Sequence, residues 1–147
     1  MSNTKPTRSK SGHDLTALSP AEIENLAQSL SAEERRVILK HGTEPAFCGG
    51  LLNNKKDGHY SCRLCALPLF RSNAKFESGT GWPSFYEPFD EDHITSIRDE
   101  SYGMVRVEIR CARCDGHLGH VFEDGPRPTG LRYCLNSASL QFVEEGH

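Results

Sequence analysis

Two pairs of cysteines constrain this chain more than any other feature of its sequence. They lie in Cys62-Arg63-Leu64-Cys65 and Cys111-Ala112-Arg113-Cys114. Four thiolates supplied by two CxxC pairs suit a closed, tetrahedral, structural zinc site. Residues 66–110 separate the pairs, a much wider gap than in a compact zinc ribbon. We therefore expect each pair to form a hairpin turn, and the metal to join two separated parts of a β-domain.

Other readings of the cysteines stay open at this point. The four thiols could form two disulfides or be unrelated, and a CxxC redox pair would need a strand–helix setting. Cys111, Cys114, His117 and His120 follow one another at three-residue steps and could form a two-Cys, two-His site. That alternative leaves Cys62 and Cys65 without a role. The N-terminus lacks the apolar stretch of a secretory signal, so we expect a reducing, cytoplasmic location, which favours metal or redox chemistry over disulfides.

Length and composition restrict the class of protein. The chain has 147 residues, 36% of them hydrophobic and 25% charged, as in a single soluble domain. A net charge of −3 and the absence of a basic stripe disfavour a nucleic-acid partner. No segment approaches the roughly 18 apolar residues of a membrane helix. Without an apolar stripe outside the core, we expect a monomer.

The N-terminal part of the chain predicts an arm and two helices. Residues 1–18 are rich in Ser, Thr and Lys and predict a flexible arm, followed by a single domain over residues 19–147. Ser19-Pro20-Ala21-Glu22 and Ser31-Ala32-Glu33-Glu34 are capping boxes that each begin a helix. The second helix is expected to end at Lys40-His41-Gly42, with a cation and then glycine.

Short β-type segments dominate the sequence after Gly42. The clearest are Thr95–Arg98, Met104–Arg110 and Arg132–Phe142, which are separated by glycine, proline and asparagine. We therefore expect a mainly β, α+β fold: a small antiparallel β-domain with the two N-terminal helices packed on its outside.

A candidate nucleophile lies in the last of these segments. In a strand, Arg132, Cys134 and Asn136 project to one face, and the guanidinium would lower the pKa of the thiol. A small buried cysteine beside polar residues is the simpler alternative. His117 and His120 favour chemistry, because two imidazoles in a glycine-flanked stretch with a thiol form a nucleophile-plus-acid arrangement.

Trp82 marks a third candidate element. It is the only tryptophan, in the glycine-rich loop Ser78-Gly79-Thr80-Gly81-Trp82. An aromatic side chain on such a loop is typical of a surface that binds a small apolar group, and it suits a methionine-like group because sulfur packs well against aromatic rings. A tryptophan that only covers the edge of the core is the alternative.

Taken together, these motifs resemble the methionine-R-sulfoxide reductases of the B type. The resemblance runs from about the second helix to Phe142. It is carried by the two CxxC pairs, Gly42-Thr43-Glu44-Pro45 with Phe47, Gly81-Trp82-Pro83-Ser84-Phe85, Gly116-His117-Leu118-Gly119-His120-Val121-Phe122 and Arg132-Tyr133-Cys134-Leu135-Asn136-Ser137-Ala138-Ser139-Leu140.

The resemblance implies two antiparallel sheets and reduction of the R epimer of methionine sulfoxide, free or in proteins. By position, Cys134 matches the nucleophile, and His117, His120, Asn136 and Arg132 match its active-site neighbours. Trp82 and Phe122 match the substrate-binding aromatic positions, and the four CxxC cysteines match zinc ligands. His120 is the expected proton donor. The sulfenic acid left on Cys134 would condense with a second thiol, and thioredoxin would reduce the resulting disulfide.

The sequence departs from the commonest family pattern at Thr80, where many relatives carry the resolving cysteine. Cys48 is the one cysteine outside the metal pairs and the nucleophile position, and it lies between Phe47 and the pair Gly49-Gly50. We therefore expect Cys48 to be the resolving thiol. The alternative is direct reduction of the sulfenic acid by an external reductant.

Two functions from other classes remain compatible with the residues alone. A zinc-stapled β-domain could bind a protein partner through the Trp82 loop, which would leave Cys134 and the histidines without a role. A zinc hydrolase or deaminase could use the two-Cys, two-His site. Four protein ligands, however, would leave no open position for a metal-activated water.

Overall fold

Two short helices open the fold at the positions that the capping boxes predict. The computed structural model describes residues 8–100 and 105–145. Helix α1 spans Pro20–Ala27 and helix α2 spans Ala32–Ile38. In each box the N-cap serine hydroxyl accepts from a backbone N–H, and the glutamate three residues later accepts from the serine N–H. Helix α2 buries Val37 and Ile38 against the β-domain.

The end of α2 differs from the prediction in one detail. His41, and not Gly42, adopts the left-handed backbone conformation, with φ of 59°. The Gly42 N–H then closes the helix on the carbonyl of Arg36 at 3.0 Å. Histidine is one of the residues that tolerates this conformation better than most, and it turns the His41 side chain toward the sheet.

The segment from residue 8 to residue 18 packs onto the domain. Leu15 is buried in the core, and the Ser11 N–H donates to the Asp90 carboxylate at 2.8 Å. These contacts correct the expectation of a flexible arm for this part of the chain, because Leu15 has apolar surface to bury. Residues 1–7, the rest of the predicted arm, lie outside the described residues.

Nine strands of the described residues form two antiparallel sheets, as expected. The strands are β1 Gly58–Cys62, β2 Pro68–Arg71, β3 Lys75–Phe76, β4 Ser84–Phe85, β5 Ile94–Asp99, β6 Arg106–Cys111, β7 His117–Phe122, β8 Arg132–Leu135 and β9 Leu140–Glu144. The smaller sheet has the order β2-β1-β9, and the larger sheet has the order β3-β4-β8-β7-β6-β5.

The long β-type segment predicted over Arg132–Phe142 is two strands. A 3₁₀ turn over Ser137–Ser139 separates β8 from β9 and sends them to different sheets. The segment predicted from Met104 begins in the structure at Arg106, and Met104 lies outside the described residues.

The core lies between the two sheets and is rich in aromatic side chains. Phe70 of β2 stacks on Phe85 of β4 with ring centroids 4.5 Å apart, and Tyr60 of β1 meets Phe85 edge-on at 5.1 Å. All three side chains are fully buried. Within the described residues, no helix has the length and hydropathy that a membrane span requires.

Candidate active site and cysteine cluster

The four paired cysteines meet in one cluster that links the two sheets. Cys62 ends β1 and Cys111 ends β6, and each is followed by a tight turn into the next antiparallel strand. The Sγ atoms of Cys62 and Cys114 are 3.6 Å apart, and those of Cys65 and Cys111 are 3.4 Å apart. The prediction that each pair forms a hairpin turn is therefore confirmed, and the cluster joins two separate parts of the β-domain.

The chemistry of this cluster fits a metal ion. All four Sγ atoms lie within 4.8 Å of one another, and no cysteine of the chain is in a disulfide. Neighbouring thiols, with Cys111 and Cys114 foremost, and burial raise the pKa of Cys62. Four clustered sulfurs, three of them on buried residues, match the donor set of a closed structural site, in which a cation would offset the charge of the thiolates. His117 and His120 are not part of the cluster.

Cys134 lies in a separate cavity of about 270 Å³ on the larger sheet. Six of the side chains singled out in the sequence line this cavity: Trp82, His120, Phe122, Arg132, Cys134 and Asn136. The remaining lining residues are Thr43, Thr80, Arg106, Gly119 and Leu135. The predicted alternation in β8 is observed, since Tyr133 and Leu135 belong to the buried core.

Strand register places the thiol and an imidazole side by side. His120 of β7 is the direct cross-strand partner of Cys134 of β8. The same row continues to Glu108 of β6 on one side and Ser84 of β4 on the other. Directly opposed residues in an antiparallel pair project to the same face, about 5 Å apart at Cβ. His120 and Cys134 therefore face the same cavity.

The pKa of the Cys134 thiol is raised above its ordinary value. Burial is the largest cause, and the Arg132 guanidinium and the Thr80 hydroxyl act against it. Arg132 thus has the expected effect on the thiol, but burial outweighs it. At neutral pH Cys134 is therefore a thiol, which would need a base before it could act as a nucleophile.

Burial also lowers the pKa of His120, with a further lowering by Arg106 and His117. A neutral imidazole beside a neutral thiol can accept the thiol proton and return it to a substrate. His117 is more deeply placed: it is 3% exposed and does not line the cavity. The centroids of the two imidazole rings are 5.7 Å apart, with their planes nearly perpendicular.

Glu44 holds two of the cavity side chains in place. Its carbonyl oxygen accepts from the Trp82 indole Nε1–H at 2.9 Å, and its N–H donates to Asn136 Oδ1 at 3.0 Å. The Asn136 amide also donates to the carbonyl of Leu118 at 3.2 Å. The half-buried indole and the buried amide thus have fixed orientations in the cavity wall.

Arg132 forms the outer rim of the cavity. Its guanidinium donates to both carboxylate oxygens of Asp124, at 2.9 and 3.2 Å. It also lies 4.5 Å from the centroid of the Phe122 ring, in a cation–π arrangement. Both contacts fix the guanidinium beside Cys134.

Cys48 lies outside this cavity. It is exposed and lines a second cavity of about 440 Å³ together with Glu44 and Ser137. Its segment is connected to the Trp82 loop, because the Phe47 N–H donates to the carbonyl of Gly81 at 2.7 Å. A bond between Cys48 and Cys134 would require this segment to move.

Sequence reasoning missed three residues of this region. Arg106 lines the cavity, the Glu44 backbone bonds two of its side chains, and the Glu108 carboxylate is bonded to His117. Glu44 was part of a matched motif but had no chemistry assigned to it. Arg106 and Glu108 occupy alternating positions of β6, in a pattern common to any half-exposed strand. No local signal distinguishes them.

Comparison with known proteins identifies the family. A SelR domain matches residues 30–144, which include helix α2 and all nine strands. The chain belongs to the SelR domain family. It is 66% identical over 140 residues to a peptide methionine sulfoxide reductase MsrB of Caulobacter vibrioides, covering 95% of this chain and 88% of that protein.

Two further relatives of this family are also named peptide methionine sulfoxide reductase MsrB. The protein from Xylella fastidiosa is 61% identical over 133 residues, which cover 90% of this chain and 86% of that protein. The protein from Escherichia coli is 59% identical over 121 residues, which cover 82% of this chain and 88% of that protein. The resemblance to B-type methionine sulfoxide reductases is therefore confirmed.

Proposed function

We propose that this protein reduces methionine-R-sulfoxide, free or in peptides and proteins, to methionine. The observation that carries the proposal is the direct pairing of Cys134 with His120 in a cavity whose wall includes Trp82. Family membership supports the same reaction. The R stereochemistry comes from the resemblance to the B-type reductases.

The first step transfers oxygen from the substrate to Cys134. His120 accepts the proton of the Cys134 thiol, and the thiolate attacks the sulfoxide sulfur. The imidazolium then donates the proton to the sulfoxide oxygen, which would otherwise be a poor leaving group. The attack forms a bond between the Cys134 sulfur and the substrate sulfur. This S–S bond and the substrate S–O bond then break as the hydroxyl group transfers to the Cys134 sulfur, so that methionine is released and Cys134 is left as a sulfenic acid. In net terms one thiol and one sulfoxide give one sulfenic acid and one thioether.

Four other side chains bind or orient the reactants in this scheme. The Trp82 and Phe122 rings contact the methyl end of the substrate, where sulfur and methyl groups pack favourably on an aromatic face. Asn136 and Arg132 are polar neighbours of the thiol, and the guanidinium stabilises the thiolate as it forms. His117 lies beside His120 but does not line the cavity, so it acts on the reactants only through His120.

Cys48 resolves the sulfenic acid in this proposal. Its thiol condenses with the sulfenic acid of Cys134, releasing water and forming a disulfide. The exposed position of Cys48 and the glycines that follow it suit the movement that this step requires. Thioredoxin, a dithiol, then reduces the disulfide by exchange. Thiol counting after one turnover tests the step: two thiols are lost in wild type, and loss of two in Cys48→Ser would contradict it.

The remaining parts of the proposal concern metal, assembly and location. We assign one structural zinc ion to Cys62, Cys65, Cys111 and Cys114, on the basis of their four clustered sulfurs. We propose a monomer, because the exposed large hydrophobic side chains among residues 8–100 and 105–145 are few and far apart in the chain: Leu26, Phe47, Val105 and Val143. A reducing cytoplasm would keep all six cysteines free, as they are in this structure.

The deciding experiment compares separated R and S epimers of a methionine sulfoxide peptide, with a dithiol reductant. We expect wild type to reduce the R epimer alone and Cys134→Ser to reduce neither. Turnover of the S epimer would contradict the stereochemistry. No turnover of either epimer by folded, metal-loaded protein would favour the partner-binding alternative.

A further inference from the structure

Glu108 is a buried carboxylate that receives four hydrogen bonds next to the proposed active site. Its Oε2 accepts from His117 Nδ1 at 2.7 Å and from His41 Nδ1 at 2.9 Å. Arg110 donates to both carboxylate oxygens, at 3.0 and 3.1 Å. The residue as a whole is only 9% exposed. No step of the proposed reaction has so far used this group.

The charge on Glu108 determines where the protons of the two histidines lie. Burial opposes its ionisation, but the hydrogen bonds from Arg110, His117 and His41 outweigh burial and lower the pKa to about 2. An ionised carboxylate only accepts hydrogen bonds. Each ring must therefore carry its proton on Nδ1.

The other nitrogen of His117 is thereby left as an acceptor. Burial lowers the pKa of His117, so the ring is neutral near pH 7 with Nε2 unprotonated. That Nε2 is buried and has no hydrogen-bond partner in the structure. An unpartnered buried acceptor is rare, and in functional sites it often has a role in the chemistry.

His117 and Glu108 both lie next to His120. The His117 ring stands nearly perpendicular to the His120 ring at 5.7 Å, and Glu108 is the direct cross-strand partner of His120. The negative charge of Glu108 favours a proton on His120, whereas a proton on His117 would disfavour it. A neutral His117 of fixed tautomer is the form that best tolerates an imidazolium at His120.

We propose that Glu108 is a positioning residue for sulfoxide reduction. It holds His117 in the Nδ1–H tautomer, so that Nε2 stays an unprotonated acceptor on the ring beside His120 while His120 carries the proton between Cys134 and the substrate. This inference rests on the proposed function. His41 supports the arrangement from the solvent side, since the left-handed turn after α2 brings its ring to the same carboxylate oxygen.

A second metal ion is the competing interpretation of this cluster. His41, Glu108 and His117 each offer one ligand atom, and the three atoms lie within 4.8 Å of one another. Arg110, however, already occupies both oxygens of the carboxylate with a fork of hydrogen bonds. A guanidinium in that position repels a cation. The geometry therefore favours a proton network over a metal site.

Three variants test the proposal on the full chain. Glu108→Gln keeps the shape but removes the charge and lets the amide N–H donate to His117, which permits the wrong tautomer. Glu108→Asp restores the charge. Glu77→Gln is the matched control, because Glu77 is an exposed carboxylate that pairs with Lys55 and with none of the residues bonded to Glu108.

The kinetic readout is the single-turnover rate of methionine formation from an R-sulfoxide peptide, which precedes any disulfide step. We expect Glu108→Gln to lower this rate at least about tenfold with less than a twofold change in substrate KM, and Glu108→Asp to recover part of it. Glu77→Gln should match wild type. An unchanged rate in a folded Glu108→Gln protein would overturn the proposal.

The structural readout is the tautomer of His117, measured by nitrogen-15 NMR of the imidazole. Wild type should show the Nδ1–H form, and a wild-type Nε2–H form overturns the proposal even when Glu108→Gln does not fold. A second equivalent of bound zinc that is lost in His41→Ala would favour the metal instead. If wild type reduces neither epimer, the proposed function fails first, and the tautomer result then stands as a structural fact alone.

Discussion

His120 and Cys134 are direct cross-strand partners, on β7 and β8 of the larger sheet. Their pairing means that the backbone hydrogen bonds of the sheet, and not a loop, set the distance between the proposed base and the proposed nucleophile. A rigid sheet holds such a pair more accurately than two loops would. Burial raises the pKa of Cys134 and lowers the pKa of His120, so the resting pair consists of a thiol and a neutral imidazole.

This resting state predicts a broad plateau in the pH dependence of the first chemical step. The reactive thiolate–imidazolium form is a proton tautomer of the neutral pair, so its population is constant between the two pKa values. The pKa of His120 is lowered from its ordinary value of 6.5, and the rate should fall at pH values below this lowered pKa, because His120 is then already protonated and cannot accept the thiol proton. The pKa of Cys134 is raised from its ordinary value of 9.0. The rate should also fall at pH values above this raised pKa, because the pair has then lost the proton that the sulfoxide oxygen needs.

Single-turnover rates with an R-sulfoxide peptide from pH 5 to 10.5 check this prediction. Other charged or titratable groups also face the pair. Those near His120 are Arg106, His117, Glu108 and Asp99, and those near Cys134 are Arg132 and Asp124. A limb centred between pH 7 and 8 would contradict the neutral resting pair.

Removing the indole hydrogen bond should weaken substrate binding. Trp82→Phe keeps an aromatic face but loses the Nε1–H bond to the Glu44 carbonyl. One hydrogen bond of this kind corresponds to about three- to tenfold in equilibrium, so we expect KM to rise by that factor with a smaller effect on kcat. Trp82→Ala should raise KM further, because the ring itself is gone. A KM for Trp82→Phe equal to that of wild type would argue against this role of the bond.

The cysteine cluster should be required for folding. Cys65→Ser and Cys114→Ser each remove one of the four clustered sulfurs. Both should lose bound zinc and the cooperative thermal transition, since the proposed zinc ion would join both sheets. Cys48→Ser is the control, because Cys48 lies outside the cluster and should keep one zinc per chain. Metal analysis and circular dichroism check both. If Cys114→Ser bound no zinc and were as stable as wild type, the proposed structural role of zinc at this cluster would be wrong.

A methyl group at Gly119 should separate the two central strands. A Cβ at this position would come within 2.0 Å of the carbonyl oxygen of Cys134. Because backbone cannot yield as a side chain can, Gly119→Ala should lower the free energy of unfolding by about 2 to 3 kcal/mol and displace Cys134 from His120. Gly50→Ala is the stability control, since nothing lies within 4 Å of its added Cβ. Urea unfolding of both variants measures the difference.

The N-terminal segment should contribute to stability through Leu15. This side chain is 4% exposed, so Leu15→Ala should lower the free energy of unfolding by about 2 to 4 kcal/mol. Leu26→Ala makes the same change on helix α1 at 37% exposure and should cost less than about 1 kcal/mol. Equal effects in denaturant unfolding would show that the segment does not pack as the structure has it.

Local sequence signals determined the parts of this protein that depend on neighbours along the chain. The capping boxes predicted where both helices begin, because those hydrogen bonds join residues three apart. Each CxxC pair predicted its own hairpin turn. The alternation around Cys134 predicted that Arg132 and Asn136 share its face, since strand geometry has a period of two.

Tertiary structure alone decided which of these local pieces meet. Nothing near Glu108 in the sequence indicates that it binds both His117 and His41, because a loop turn and a strand register bring them together. Nothing near Cys134 shows that burial outweighs Arg132 in setting its pKa, since desolvation depends on every group packed around the thiol. Residues 8–18 are mostly polar, yet this segment packs on the domain because the Leu15 side chain is buried in the core. Contacts between distant residues carry no local pattern, and they are the ones that set charge and proton position in this site.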